Sequence, residues 1–88
     1  MGEWFVYILR SERDGRFYIG CTSDLTARFD KHASGGVDTT RHRRPLRMVY
    51  SESCPGKASA MKRERYLKSL KSHRAVENLI GSVGRAPR

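Results

Sequence analysis

Acidic residues are scarce in this chain. Nine Asp and Glu stand against eighteen Lys and Arg in 88 residues, giving a net charge of +9 and a pI near 10.3. So basic a domain points to a polyanion, nucleic acid first. Long apolar runs are missing as well. Trp4 to Leu9 is apolar but spans only six residues. That is too short for a membrane span or the core of a signal peptide. No strongly amphipathic N-terminal helix replaces it, so a membrane is not an expected partner and a cytoplasmic location is expected. Cysteine is sparse: Cys21 and Cys54 form neither a CxxC pair nor a zinc-ligand set, which excludes a zinc ribbon or a disulfide scaffold. Both are expected as free thiols in a reducing compartment. A nucleophilic Cys21–His32 pair is the one cysteine chemistry left, and it ranks well below the readings that follow. There are no internal repeats. A chain of this length makes one small domain with a modest core.

What is present alternates between strand and helix patterns. Trp4 to Leu9 is rich in aromatic and branched residues and reads as a buried strand. Ser11 to Gly15, with Asp14-Gly15, reads as a turn. Arg16 to Cys21 reads as a second strand, closing an antiparallel hairpin. Thr22 and Ser23 are candidate caps for a helix from about Asp24 to Ala33, stopped by Gly35-Gly36. Residues 36–45 are polar and basic with no period, so a loop is expected. Leu46 to Glu52 alternates as a third strand. Pro55-Gly56 precedes a helix over Lys57 to Ser72, and a short last helix begins at Ser72 or His73 and runs through Ile80. The fold class expected is α+β, a small three-stranded antiparallel sheet flanked by about three helices in the order β-β-α-β-α-α. The domain is expected to span residues 1–80, with 81–88 as a flexible tail.

Glu64 carries the most information. In the 57–72 helix, Ala60, Leu67 and Leu70 form the apolar stripe, and Glu64 lies on it. A carboxylate turned toward a core must be paired, protonated or bound to a cation. The other charged side chains of that helix are basic: Lys62, Arg63, Arg65, Lys68 and Lys71. Two readings follow, a metal ligand or an ion pair with a neighbouring Arg or Lys. Elsewhere, Tyr7 and Tyr18 fall where a hairpin would make them near neighbours. Arg28 and His32, four residues apart, share one face of the first helix.

Together these positions resemble the GIY-YIG nuclease family. Its second signature stands intact as Tyr18-Ile19-Gly20, and its first reads Phe5-Val6-Tyr7, which keeps the tyrosine and loses the initial glycine. The run from Gly20 to His32 is similar to the motif in which a helix after the second strand carries an arginine and, one turn on, a histidine. Leu46 to Leu70 resembles the third strand and the metal-ligand helix. The likeness covers about residues 3–80 and is greatest to the small single-domain bacterial members. One departure stands out: many members place an asparagine about twelve residues after the glutamate, where this chain has Val76, and Asn78 matches only after a two-residue shift.

The resemblance implies a divalent-metal-dependent endonuclease that hydrolyses phosphodiester bonds in nucleic acid, DNA ahead of RNA. The implied catalytic residues are Tyr7, Tyr18, Arg28, His32 and Glu64, with Glu64 holding one Mg²⁺ or Mn²⁺ per site. Tyr7 resembles the family's general base, His32 would take or relay the proton, Arg28 would hold the scissile phosphate, and Tyr18 would position phosphate or water. Gly20 would allow close backbone approach. Arg41, Arg43, Arg44, Arg47 and Lys68 are expected to track the nucleic-acid backbone, without reading bases. The alternative is a nucleic-acid-binding module of this fold with little or no activity, acting with a protein partner that supplies specificity. The sequence does not specify an oligomeric state.

Overall fold

A computed structural model of the chain describes residues 2–84. It has the expected α+β architecture, with one more helix than the sequence pattern announced. Strands β1 (Trp4–Ser11) and β2 (Phe17–Thr22) are followed by helices α1 (Leu25–Ala33) and α2 (Asp38–Arg41), strand β3 (Leu46–Cys54), and helices α3 (Lys57–Ser69) and α4 (His73–Gly84). The sheet is antiparallel with strand order β2-β1-β3. β1 is therefore central and covered on both faces, which is why its apolar run is continuous: Val6, Tyr7, Ile8 and Leu9 are all buried.

The β1–β2 hairpin is closed by Ser11. Its Oγ accepts from the backbone N–H of Arg13 and Asp14, and its carbonyl accepts from Gly15 N–H. Gly15 sits at φ +76°, where a side chain would be strained. The resulting register sets Tyr7 opposite Gly20, Ile8 opposite Ile19 and Leu9 opposite Tyr18. Side chains alternate across the sheet. Val6, Ile8, Ile19 and Cys54 turn to one face, where Ala60, Leu67 and Val76 of α3 and α4 complete the core. Ile8 and Leu67 are no more than 2% exposed, and burial of each stabilises the fold by about 1.5–3 kcal/mol as an upper bound. Tyr7, Leu9 and Tyr18 turn to the opposite face, against α1.

The strands end one or two residues beyond the expected bounds, at Ser11, Thr22 and Cys54, and the helices differ from the sequence pattern for local reasons. Asp24, not Thr22 or Ser23, caps α1: its backbone is extended and its carboxylate accepts from Ala27 N–H at 3.0 Å. The expected loop at 36–45 contains the single-turn α2. So short a turn has no stability of its own, and here Thr40 anchors it, fully buried beneath α1. α3 stops at Ser69 rather than Ser72 because Lys71 adopts the left-handed conformation, φ 49°. α4 continues to Gly84, past the boundary expected at residue 80. Residues 85–88, the rest of the expected tail, lie outside the described part.

Candidate active site

The site forms where Tyr7 crosses beneath the edge strand. Tyr7 faces Gly20 across the β1–β2 ladder. A Cβ on Gly20 would lie 2.6 Å from the Tyr7 hydroxyl and 2.7 Å from its Cζ. Gly20 thus leaves the space through which the Tyr7 ring reaches the edge of the sheet. The expected role of Gly20 as a point of close approach takes this form: the approaching group is a side chain rather than a ligand. Tyr18, diagonal to Tyr7 in the ladder, stacks at a tilt with ring centroids 6.3 Å apart, and its ring lies 5.0 Å from that of His32. Tyr7 is 1% exposed, while Tyr18 is only half-buried. Of the two hydroxyls, that of Tyr18 belongs to the more accessible side chain.

His32 is fully buried in the last turn of α1. Its Nε2 lies 3.0 Å from Tyr7 Oη and its Nδ1 2.8 Å from Thr40 Oγ1. Either tautomer completes this buried chain of three, with both ring nitrogens satisfied. Burial, then Arg28 and Lys31, hold the imidazole below its ordinary pKa, so it is neutral at neutral pH. Burial, then Tyr18, push the Tyr7 phenol above its ordinary value; Arg28 opposes the shift and Glu64 adds to it. Arg28 is one turn before His32 on α1. Its guanidinium makes no ion pair or hydrogen bond among the described residues, so it remains free for an anion.

Glu64 comes from the other face. α3 packs on the side of β2 that presents Cys21, and the Cys21 thiol donates to Glu64 Oε1 at 3.2 Å. Glu64 Oε2 is 2.7 Å from Lys68 Nζ, one helical turn on. Of the two readings of Glu64, the ion pair with a neighbouring lysine is the one the structure shows. Glu64 also stands at the edge of β2, where its charge acts on Tyr7. Burial and the Glu64 contact push Cys21 up to about 11, which leaves a neutral thiol. The Cys21–His32 pairing does not form, because alternation along β2 turns Cys21 away from the His32 face. Among the described residues no three His, Cys, Asp or Glu come together as a ligand set. The donor set is one carboxylate, whose present countercharge is an ammonium on a half-exposed, flexible side chain. That set fits a single hard divalent ion whose remaining ligands are water and phosphate oxygens. It does not fit zinc.

The five residues expected to be catalytic thus border the same stretch of β2, four on one face and Glu64 on the other. The expected backbone-tracking cations are more scattered. Lys68 stands at the site. Arg43 lies near the hairpin turn, its Nε 3.8 Å from Asp14 Oδ2. Arg41 pairs with Asp38. Arg44 is committed to the fold: its guanidinium donates to the carbonyls of Arg41 and Ala33 and lies over Gly35. Arg47 is on β3, at the opposite edge of the sheet from β2, paired to Glu12. Val76, where many members carry an asparagine, belongs to the core, and Asn78 is exposed. Sequence reasoning missed Thr40 and the place of Cys21 beside Glu64. Nothing in the polar run around Thr40 announces its contact with His32, whereas alternation from Ile19 does place Cys21 on the α3 side.

Comparison with known proteins bears on the family and the fold. The GIY-YIG catalytic domain matches residues 3–78. A UPF0213 protein of Pseudomonas aeruginosa is 43% identical over 81 residues, covering 91% of this chain and 76% of the relative. A UPF0213 protein of Halalkalibacterium halodurans is also 43% identical over 81 residues, covering 91% of this chain and 84% of the relative. The solution NMR structure of a UPF0213 protein from Bacillus halodurans superimposes with a TM-score of 0.58 at 41% identity, covering 97% of this chain and 88% of that one.

Proposed function

The chain belongs to the GIY-YIG catalytic domain family, and from that premise we propose that it is a divalent-metal-dependent endonuclease acting on nucleic acid, DNA ahead of RNA. The observation that supports this reading is that Tyr7, Tyr18, Arg28 and His32 lie on one face of β2 and Glu64, a carboxylate held by a lysine, on the other, with the charges of Arg28 and Glu64 both acting on Tyr7. A pure binding surface needs neither an acid among its cations nor a buried Tyr–His–Thr chain.

Glu64 would hold Mg²⁺ or Mn²⁺, which when bound neutralises charge on the phosphate and on the leaving oxygen. Arg28 holds the scissile phosphate and meets the charge that grows on it. Tyr18 orients the phosphate or the attacking water through its hydroxyl. The water attacks phosphorus and the bond to the leaving oxygen breaks. The water's proton passes to Tyr7 Oη as the Tyr7 proton passes to His32 Nε2; the step uses the tautomer whose Nδ1–H donates to Thr40 Oγ1. This relay answers the difficulty raised by the high Tyr7 pKa, since no free phenolate has to form. Burial and Arg28 keep His32 in the neutral form the step requires, while making it a weaker base than a free imidazole.

The second reading is a nucleic-acid-binding module with little activity of its own that relies on a protein partner. Val76 in the core, in place of the asparagine, favours it. Plasmid nicking with and without Mg²⁺, beside a Glu64→Ala control, separates the two. Metal-dependent nicking that disappears in the variant supports the nuclease; equal or absent nicking in both proteins supports the module.

A further inference from the structure

On the α3 side of β2, next to Tyr18, lies an open cavity of about 470 Å³ that none of these steps uses. A volume of this order suits a small ligand group. Its floor includes Ile19, Leu67 and Val76; its cations are Arg16, Arg43, Lys68 and Lys71, and no Asp or Glu lines it. Arg16 and Lys71 are exposed and make no ion pair among the described residues. Arg43 contributes a buried Nε without a hydrogen-bond partner among them. Lys71 is set on the rim by its left-handed backbone, φ 49°, a conformation uncommon for a residue with a side chain.

The aromatic surface of the cavity is already engaged. Phe17 is stacked on His73 with centroids 4.5 Å apart, and the Arg10 guanidinium lies 5.7 Å from the Phe17 centroid. What the cavity offers a ligand is therefore positive charge, unpaired at Arg16 and Lys71 and paired to Asp14 and Glu64 at Arg43 and Lys68, not a stacking platform. The ligand chemistry that matches is a phosphate. Lys68 links the two places, lining the cavity while its ammonium holds Glu64.

We propose that this cavity is a second phosphate subsite, which holds a backbone phosphate neighbouring the one to be cut, with Arg16 and Lys71 as its principal ligands. Lys68 joins them when Glu64 exchanges its ammonium for a metal ion. The inference rests on the nuclease reading for the identity of the strand, but its test needs no cleavage.

Binding of a fluorescein-labelled oligonucleotide is measured by anisotropy in EDTA, across a salt series, for wild type, Arg16→Gln, Lys71→Gln and Lys62→Gln. Lys62 is an exposed lysine of α3 outside the cavity and controls for loss of charge alone. Each cavity variant should weaken binding by roughly three- to tenfold at low salt and lower the log–log salt slope by about 0.7–0.9, the value of one phosphate contact. Lys62→Gln should change both much less. Equal losses in Lys62→Gln and Lys71→Gln overturn the proposal, since general charge then explains them. Wild-type binding in both cavity variants also overturns it and hands the cavity to an acidic protein segment. Nicking by the wild type with Mg²⁺ is read separately. If nicking is present while the cavity variants bind normally, the subsite alone falls. If it is absent while they bind weakly, the nuclease reading falls and the phosphate site stands.

Discussion

The Tyr7 hydroxyl and His32 Nε2 lie 3.0 Å apart, on two buried side chains twenty-five residues apart in sequence. Tyr7→Phe removes one oxygen from that pair and leaves a buried nitrogen without its partner. The expected stability cost is about 1–3 kcal/mol, read by denaturant unfolding. If the hydroxyl relays the proton, single-turnover cleavage should fall by about 10²–10⁴-fold. A rate within a few-fold of wild type would assign Tyr7 to packing and move the proton to another acceptor.

Gly20→Ala tests the same pair from the neighbouring strand. The new Cβ would lie 2.6 Å from Tyr7 Oη and 3.2 Å from Tyr18 Cε2. The Tyr7 ring is buried and hydrogen-bonded, so it cannot simply step aside. Destabilisation of about 1–3 kcal/mol is expected, together with loss of cleavage. Gly81→Ala should act in the opposite sense. Gly81 lies in α4, and a methyl group there would meet nothing within 4 Å. Ala in place of a helical Gly stabilises by about 0.5–1 kcal/mol. Thermal unfolding of both variants should show opposite shifts.

His32 makes stability depend on pH. Its folded pKa lies below the ordinary 6.5 because burial, Arg28 and Lys31 disfavour the imidazolium. The unfolded chain therefore takes up the proton first, and stability falls as the medium is acidified. The contribution is fully present above about pH 6.5 and declines as the pH drops through that value toward the folded pKa. Asp14 has the same sign but acts only lower, below its ordinary 3.8. Between pH 6.5 and 5 the slope should thus be that of His32. Melting curves of His32→Gln should be flatter than those of wild type over this window; parallel curves would reject the assignment.

The arginines of the 36–45 segment should not behave alike. Arg44 donates to Arg41 O at 3.0 Å and to Ala33 O at 3.4 Å, over Gly35. Arg44→Ala should cost about 0.5–1.5 kcal/mol for the lost backbone contacts. Arg41 holds only an exposed pair with Asp38, so Arg41→Ala should stay within about 0.5 kcal/mol. Urea midpoints decide between this and a loop in which all arginines are dispensable to the fold.

The sequence was legible where short-range pattern governs. The apolar run of β1, the Asp14-Gly15 turn and the stripe of Ala60 and Leu67 each announce their element. Glu64 was visible as an acid on an apolar stripe. The unforeseen features depend on contacts between distant residues. α2 exists because Thr40 meets His32, and no residue near Thr40 encodes that. Lys71 ends α3 through a backbone angle that its side chain does not favour. Arg44 is committed to the carbonyls of Arg41 and Ala33 by the turn of the chain after α1, and the placement of Arg47 at the far edge follows from the strand order β2-β1-β3, which a hairpin reading alone does not give.

Glu64 and Lys68 give the last test. Their ion pair, Oε2 to Nζ at 2.7 Å, puts an ammonium where the proposed divalent ion would bind. The lysine side chain is 55% exposed, so leaving the carboxylate takes it into water at little cost. Glu64→Gln should abolish metal-dependent cleavage. Oligonucleotide binding in EDTA should survive or tighten, because a negative charge is lost and Lys68 is released. Lys68→Met should act on the metal instead. With the competing cation gone, Mn²⁺ affinity, read from free Mn²⁺ by electron paramagnetic resonance without substrate, should rise by roughly two- to fivefold, the equivalent of an exposed pair of about 0.5–1 kcal/mol. Glu64→Gln should show no such binding. If Lys68→Met leaves Mn²⁺ affinity unchanged while Glu64→Gln removes it, Glu64 is the ligand but Lys68 is not its competitor. If neither substitution alters Mn²⁺ binding, the metal is held elsewhere and the role proposed for Glu64 is wrong.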